Sequence, residues 1–152
     1  ASGCAQCHWG PRLTDDAFHA VRFATGHADA SADRGRSDGV PLLLANEFLE
    51  TGAFSDSKAD THGLPQLSPP PASMLGAFKT PALRGVADTA PYGHGGSMAT
   101  LADVAKVYST AGLDPSDGAA VGVSEPWLPR FDTANQLALP SFLAVLTAIP
   151  KP

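Results

Sequence analysis

The stretch Cys4-Ala5-Gln6-Cys7-His8 stands at the start of the chain and reads Cys-x-x-Cys-His. On a helical turn, residues three and four apart share a face, so both thiols and the imidazole point toward one group. In this arrangement the cysteines form thioethers to the vinyl groups of a haem, and the histidine binds its iron. The motif therefore predicts one covalent haem c, held by Cys4, Cys7 and His8.

Other interpretations of a cysteine pair explain the motif less well. A zinc site needs two more ligands, and the chain has no third cysteine. A thioredoxin-like dithiol is expected between a strand and a helix, and a structural disulfide gives the following histidine no role. Because haem c is attached after export, the cofactor rather than cystine pairing indicates the bacterial periplasm or another exported compartment.

Length and composition indicate one loop-rich domain. The 152 residues suffice for a single core, which a haem would enlarge. Fourteen prolines and fifteen glycines predict short helices and long loops. The net charge of −5 argues against nucleic acid or an anionic membrane as partner, and no apolar stretch is long enough to span a membrane.

The start of the chain, only three residues before Cys4, leaves two expectations open. The chain is either a fragment of a longer protein or a mature protein cut just after its signal peptide.

Three segments have apolar residues at helical spacing. Residues 42–49 follow Pro41, a residue that favours the first position of a helix. A second helix is predicted from the capping-box pattern Thr-x-x-Asp at Thr100 to near Gly112. A third, residues 140–149, opens and closes with proline. These segments predict a mainly α, cytochrome c-like fold around one haem, with residues 27–74 as a long loop insertion in a single domain.

Several further side chains are candidates for the core or for the iron. Phe18, Val21 and Phe23 are expected in the core, and Trp127 is expected to anchor residues 109–131 to the body. His19 and His27 are candidate iron ligands, although a histidine near a turn more often has a structural hydrogen bond.

Methionine and tyrosine provide the other candidates for the far side of the iron. Met98 is one, with Met74 a weaker one, since methionine ligates iron in many small cytochromes; filling the core is the alternative role of both. The predicted second helix carries one apolar face, on which Tyr108 lies with Leu101, Val104 and Ala105.

Residues 76–97 alternate short apolar pairs with proline and glycine, which predicts a structured loop lying on the cofactor. Together with the haem motif, this loop resembles the C-terminal half of the bacterial dihaem cytochrome c peroxidases and of MauG. The matching pieces occur in that family's order and span nearly the whole chain: Cys4 to His8 with Gly-Pro-x-Leu-Thr-Asp-x-x-Phe-His after it, Asp33-Arg34-Gly35-Arg36, Phe78-Lys79-Thr80-Pro81-Ala82-Leu83-Arg84, and Ala90-Pro91-Tyr92-x-His94-x-Gly96.

The resemblance implies a set of site residues. It places the far iron ligand fourteen residues after His94, at Tyr108, where the peroxidases have methionine and MauG has tyrosine. It also places His94 near the haem, as the candidate catalytic residue of a peroxidase-like site, and brings Thr80 and Pro81 to the cofactor. Arg84 and Lys79 are candidates to pair with haem propionates, with surface solvation the alternative.

The chain departs from the family pattern at several positions. Gly85 stands in place of an asparagine, Gly93 in place of a bulky residue, and His94-Gly95-Gly96 in place of His-Asp/Asn-Gly. The family's peroxidatic haem lies in an N-terminal domain with its own Cys-x-x-Cys-His, and this chain has one such motif. An inter-haem Ca²⁺ is therefore expected only if a second haem domain is present.

Two functions follow from these expectations. The first is single-electron transfer between the haem and a redox protein or a second haem domain. The second is a peroxide-dependent oxidoreductase, either as part of a dihaem enzyme or as a monohaem site that takes hydrogen peroxide itself, for which His94 would move protons. A haem-based sensor is a third possibility, for which the sequence has no dedicated feature.

Overall fold

The computed structural model describes residues 3–22, 33–56, 62–108, 121–128 and 131–148. Within them, three α-helices and two short strands are joined by turns and 3₁₀ helices: β1 (Phe18–Ala20), α1 (Arg36–Leu44), β2 (Ala77–Lys79), α2 (Leu101–Val107) and α3 (Thr133–Val145). The 3₁₀ helices are Cys4–Gln6, Leu64–Leu67, Ala72–Met74, Val86–Asp88 and Leu146–Ala148. The helices and the small sheet agree with the prediction of a mainly helical chain.

The two strands join the haem motif to the middle of the chain. β1 and β2 pair antiparallel, with His19 opposite Phe78. The pairing continues past the strands, because the Thr80 amide donates to the Ala17 carbonyl at 2.9 Å. The prediction of a loop at residues 76–97 therefore missed strand β2, and no strand was predicted at its partner β1. Each strand is only three residues long, which is too short to show the alternation of apolar and polar residues that predicts a strand.

Gly35 fits closely against β2. A Cβ atom at this position would lie 2.5 Å from the Ala77 carbonyl oxygen, and the backbone φ of Gly35 is 59°. Glycine is therefore required where the Asp-Arg-Gly-Arg segment meets the strand.

Helix α1 differs from the sequence prediction. It begins directly after Gly35, so Pro41 lies inside the helix rather than at its start. Its buried residues are Ser37 and Val40, whereas Leu42 is exposed. The helix ends at Leu44, and the Asn46 side chain accepts from the Phe48 amide at 2.9 Å, which forms a turn instead of further helix.

Helix α2 begins as predicted. The Thr100 side chain accepts from the Asp103 amide, and the Asp103 carboxylate accepts from the Thr100 amide, which completes a capping box. The helix ends at Val107, and Gly112, the predicted end, lies outside the described residues.

Helix α3 begins seven residues before its predicted start. Asp132 caps it by accepting from the Asn135 amide at 2.8 Å, and Pro140 lies in its interior. The cap supplies the start signal that the prediction assigned to proline.

The core lies where α3 meets α2 and the 3₁₀ helix Val86–Asp88. Val86, Leu143 and Leu146 form its buried centre. Partly buried side chains from both halves of the chain pack against it: Leu13, Leu83, Tyr92, Leu101 and Leu139. Leu13 brings the segment after the haem motif onto this core.

The core prediction for Phe18 is wrong. Phe18 is 40% exposed, and its ring contacts the Arg36 guanidinium at 4.5 Å instead of the core. Phe23 and His27 lie outside the described residues, as does part of the predicted insertion at 27–74, which stays a prediction. Among the described helices, none has the length and apolar character needed to cross a membrane.

Candidate haem-binding site

The cysteine motif forms a helical turn. Cys4–Gln6 is a 3₁₀ helix, and the amides of Cys7 and His8 both donate to the Cys4 carbonyl, at 3.3 and 2.9 Å. The two cysteines are not joined in a disulfide; Cys7 is buried and Cys4 is half-buried. The turn therefore presents two thiols and an imidazole from one short segment, as haem attachment requires.

The orientation of His8 is set by the loop that follows it. Its Nδ1 lies 3.0 Å from the Leu13 carbonyl oxygen. Leu13 has a left-handed backbone, with φ at 54°, and its amide donates to the Gly10 carbonyl in a tight turn. Because a carbonyl only accepts, Nδ1 must carry the proton, which leaves the lone pair of Nε2 for a metal.

Thr80 brings the second matched segment to the cysteine motif. Its side chain hydrogen-bonds Cys7 and also Asp15. Its carbonyl accepts from the Thr14 hydroxyl at 2.8 Å, and the whole residue is buried. The resemblance placed Thr80 near the cofactor, and the structure places it against a cysteine of the motif.

The environment of Cys7 is unlike that of a redox dithiol. Burial and the nearby Asp15 carboxylate raise the pKa of Cys7 to about 11, against the lowering effect of the Thr80 hydrogen bond. Catalytic dithiols instead have a lowered cysteine pKa. The chemistry of this cysteine therefore argues against the dithiol interpretation.

His19 is held between two carboxylates. Its Nε2 lies 2.8 Å from Asp15 and its Nδ1 lies 3.3 Å from Glu125. Burial lowers the pKa of His19, but the two carboxylates outweigh it, and the net shift is upward. The Trp127 ring meets the imidazole edge-on, with centroids 5.4 Å apart. Both ring nitrogens are thus occupied, which favours the structural role over iron ligation.

Cys7, Asp15 and His19 offer ligand atoms that all lie within 4.8 Å of one another. In the part of the chain that the structure describes, they are the one set of three such side chains spaced for a metal ion. A Cys7 sulfur bonded to haem would no longer be a thiolate ligand, which argues against a second metal at this set.

His94 joins three of the segments that match the family. Its Nε2 lies 2.9 Å from the Asp33 carboxylate, and its ring packs on Phe78 with centroids 4.2 Å apart. The imidazole side chain is 54% exposed, so it is both anchored and reachable from solvent. The pairing with Asp33, sixty-one positions away in sequence, had no local signal.

Met98 lies in a small hairpin that Tyr92 closes. The amides and carbonyls of these two residues pair in both directions, at 2.7 and 3.1 Å. Met98 is 6% exposed, and its terminal methyl carbon lies 2.6 Å from where a Cβ of Gly93 would be. The glycine that replaces a bulky family residue therefore makes room for the methionine. Met74, the weaker candidate, is also buried.

Tyr108 caps the C-terminus of α2 and lies near the cysteine motif. Its carbonyl accepts from the Phe131 amide at 2.8 Å, which ties α2 to the residue just before α3. Burial raises the pKa of Tyr108 well above its usual value, and the nearby Cys4 and Cys7 raise it further. The structure thus brings the hydroxyl within electrostatic range of both cysteines.

The charged candidates of the matched loop contact the segment that follows the motif. The Arg84 Nε donates to the Pro11 carbonyl, and the Lys79 ammonium pairs with the Asp16 carboxylate. Pro81 is exposed. These contacts hold residues 79–84 beside the loop that orients His8.

The residues present fit a covalently attached haem. One turn presents two thiols and an imidazole whose Nε2 lone pair is left over, and Tyr108 at the end of α2 lies in the electrostatic neighbourhood of both cysteines. The prediction missed the supporting residues, namely Asp15, Glu125 and Asp33. Asp15 and Asp33 lie in segments that match the family, whereas nothing in the sequence marked Glu125.

Comparisons with known proteins find relatives named cytochrome-c peroxidase and MauG. No family model matches the chain. The cytochrome-c peroxidase IdrP1 of Denitromonas iodatirespirans is 32% identical over 73% of the chain, and the methylamine utilization protein MauG of Methylorubrum extorquens is 30% identical over 73%. The chain spans only 29% and 22% of these relatives. The crystal structure of a MauG-like protein associated with microbial copper homeostasis shares the fold over 95% of the chain and 42% of its own length, with a TM-score of 0.55 and 24% identity.

Proposed function

Because the chain belongs to the cytochrome c peroxidase and MauG family, we propose that it is a haem c electron-transfer domain. Cys4 and Cys7 would attach one haem, and His8 would bind its iron through Nε2. Bound in this way, a haem supplies one-electron oxidation and reduction at the iron. The observation that carries the proposal is the hydrogen bond from His8 Nδ1 to the Leu13 carbonyl, 3.0 Å long, which fixes the imidazole for a metal.

The polar residues around Cys7 have hydrogen-bond partners. Thr80 is buried and hydrogen-bonds Cys7, and the Asp15 carboxylate pairs with His19 at 2.8 Å. Since the carboxylate is already paired, its charge is partly neutralised near the cofactor. A buried and satisfied environment requires little rearrangement when the charge at the iron changes, which suits electron transfer.

We propose Tyr108 as the far ligand of the iron, with Met98 as the alternative. The nearness of Tyr108 to both cysteines supports this choice. A tyrosine phenol is protonated at neutral pH and burial raises its pKa further, so ligation would require the metal to replace the phenol proton. A phenolate ligand would favour ferric over ferrous iron. The Met98 side chain is buried and packs in the space left by the missing Cβ of Gly93.

The partner would be a redox protein or a second haem domain. The family's name and the haem motif support an exported, periplasmic location. A Ca²⁺ ion between haems would be present only together with a second haem domain. Arg84 and Lys79 could pair with haem propionates only by giving up their present contacts with the Pro11 carbonyl and the Asp16 carboxylate.

A second candidate function is peroxide-dependent oxidation, and the His94–Asp33 pair favours it. Moving protons at a reaction site needs an acid–base group held in place and reachable from solvent. His94 meets both conditions, since Asp33 and Phe78 fix its ring while more than half of the side chain is exposed.

The test is the optical spectrum of the haem-loaded ferric protein, compared between Tyr108→Phe and Tyr92→Phe. Tyr92 is the matched control because its hydroxyl donates to the Ala87 carbonyl instead. A change in the spectrum of Tyr108→Phe alone supports the phenolate ligand. An unchanged Tyr108→Phe spectrum, with loss of a far-red sulfur-to-iron band in Met98→Leu, would assign Met98. A spectral response to peroxide that His94→Gln abolishes would support the enzymatic function.

A further inference from the structure

A strip of exposed aromatic and charged side chains runs along the surface beside the haem motif. It begins at Trp9, the residue after the proposed iron ligand, and crosses the outer face of the sheet onto α1. We call this surface the basic strip, and define it by six residues: Trp9, Arg12, Asp16, Phe18, Arg36 and Lys79.

Contacts between neighbours make the strip continuous. A recess links Trp9 to Arg12 and Asp16. Asp16 pairs with both Arg12 and Lys79, and Lys79 lies opposite Phe18 in the sheet register, so their side chains share a face.

The aromatic members of the strip are open to solvent. Trp9 is 59% exposed and Phe18 is 40% exposed, with the Arg36 guanidinium stacked over the Phe18 ring at 4.5 Å. Tryptophan and arginine are the residue types that most often contribute the binding energy of protein interfaces. A large exposed tryptophan beside a cofactor motif is therefore an anchor for a partner.

The charge of the strip contrasts with that of the chain. Three cations stand against one carboxylate in the strip, while the whole chain has a net charge of −5. The neighbouring acids are paired elsewhere, since Asp15 accepts from His19 and Asp38 pairs with Arg34. A local positive surface on an acidic protein orients an approaching acidic partner.

The backbone that carries Trp9 and Arg12 is fixed before any partner arrives. The Trp9 carbonyl accepts from the Thr14 amide at 3.1 Å, and the Pro11 carbonyl accepts from Arg84. Asp16 adopts a left-handed backbone with φ at 58°. A pre-ordered surface loses little entropy on binding.

We propose that the basic strip is the docking surface for an acidic electron-transfer protein. The proposal rests on the proposed electron-transfer function and names the partner of that same site. A partner that covered Trp9 would rest against the residue adjacent to His8, the residue proposed to bind the iron.

The test is electron exchange between the ferrous haem-loaded protein and two ferric probes, one strongly acidic and one strongly basic monohaem cytochrome c. The rate is measured by stopped flow over a range of ionic strength. Arg12→Glu and Lys79→Glu reverse charges in the strip, and Trp9→Ala removes the anchor. Lys106→Glu is the matched control, because Lys106 is an exposed lysine on α2 that also pairs with an aspartate, Asp103.

We expect the acidic probe to react faster than the basic one, with a rate that falls as salt rises. Each charge reversal in the strip should lower the rate at low salt by about tenfold. Trp9→Ala should lower the rate at all salt concentrations, and Lys106→Glu should leave it near wild type.

Equal losses in the strip and control variants, or faster reaction with the basic probe, would overturn the docking proposal. Reduction by ascorbate separates the two proposals. If ascorbate reduces the haem but neither cytochrome exchanges electrons with it, the docking surface is wrong while the electron-transfer function stands. If no reductant changes the haem spectrum, the proposed function is wrong and the docking surface fails with it.

Discussion

Two regions of the molecule are stabilised in different ways. Residues 3–22, the haem turn, make side-chain hydrogen bonds to partners far away in sequence, such as Thr14 to Thr80 and His19 to Glu125. Residues 41–56, the exposed segment, contain a series of short-range turns, and Phe48 and Phe54 stack on each other while both stay exposed to solvent.

The two regions differ in the range of their contacts. Segments distant in sequence hold the haem turn around its core-facing residues, while the nearby Leu13 carbonyl orients His8. Phe48 and Phe54 of the exposed segment lie largely in solvent. Substitutions in the haem turn should therefore have much larger effects than substitutions in the exposed segment.

The largest effect is expected at the cysteines. Replacing both Cys4 and Cys7 by alanine removes both thioether bonds, so no haem should stay with the chain after denaturation. Phe48→Ala, in the exposed segment, should retain it fully. Haem staining of denaturing gels measures both, and a haem band in the double variant would contradict covalent attachment.

The next effect is expected in the core beneath the haem turn. Leu143→Ala should reduce the free energy of unfolding by about 2 to 5 kcal/mol, because it opens a cavity in the cluster on which Leu13 packs. Phe54→Ala should cost about 0.5 kcal/mol or less, since the ring is 66% exposed. Denaturant unfolding of the haem-loaded variants measures both. Equal losses would mean that the two regions do not differ as described.

Local signals in the sequence predicted the parts of the site that lie close together in the chain. Five consecutive residues specify the haem motif, and four specify the capping box at Thr100, which the structure confirms. Both depend on spacing along one turn, which a sequence displays directly.

Features that depend on contacts between residues far apart in sequence were not predicted. Helix α1 begins where Gly35 meets Ala77, forty-two positions away, and no local pattern marks that contact. The partners of His19 and His94 have the same difficulty, because Glu125 and Asp33 are brought near only by the fold. The family resemblance singled out His94 as a candidate but did not indicate that Asp33 and Phe78 contact its ring.

A smaller effect is expected where the haem turn meets β2. Thr14→Ala removes the hydroxyl that donates to the Thr80 carbonyl and accepts from the Asp16 amide, and should cost about 1 to 2 kcal/mol. Thr14→Ser keeps the hydroxyl and should restore most of the loss. Asn46→Ala, which removes a bond to the nearby Phe48 amide in the exposed segment, should cost less in the same unfolding assay. A larger cost for Asn46→Ala would reverse the comparison.

The smallest effect is the pH dependence from the His19–Asp15 pair. The carboxylates raise the pKa of His19 above its ordinary 6.5 despite its burial, so its contribution is complete below pH 6.5 and is lost as pH rises through the folded pKa. Burial alone would raise the pKa of Asp15, but hydrogen bonds with His19, Ala17 and Thr80 lower it below the ordinary 3.8. The contribution of this carboxylate to stability is therefore present above pH 3.8 and is lost as pH falls through the folded pKa. The difference in unfolding free energy between wild type and His19→Gln should therefore be greatest between these limits and shrink above them. The surface pair of His62 with Glu50, a residue of the exposed segment, provides the control. His62→Gln should change the free energy of unfolding by no more than about 0.5 kcal/mol, because solvent screens a surface ion pair. A difference for His19→Gln that does not shrink as the pH rises above these limits would mean that its two carboxylates do not act on its charge.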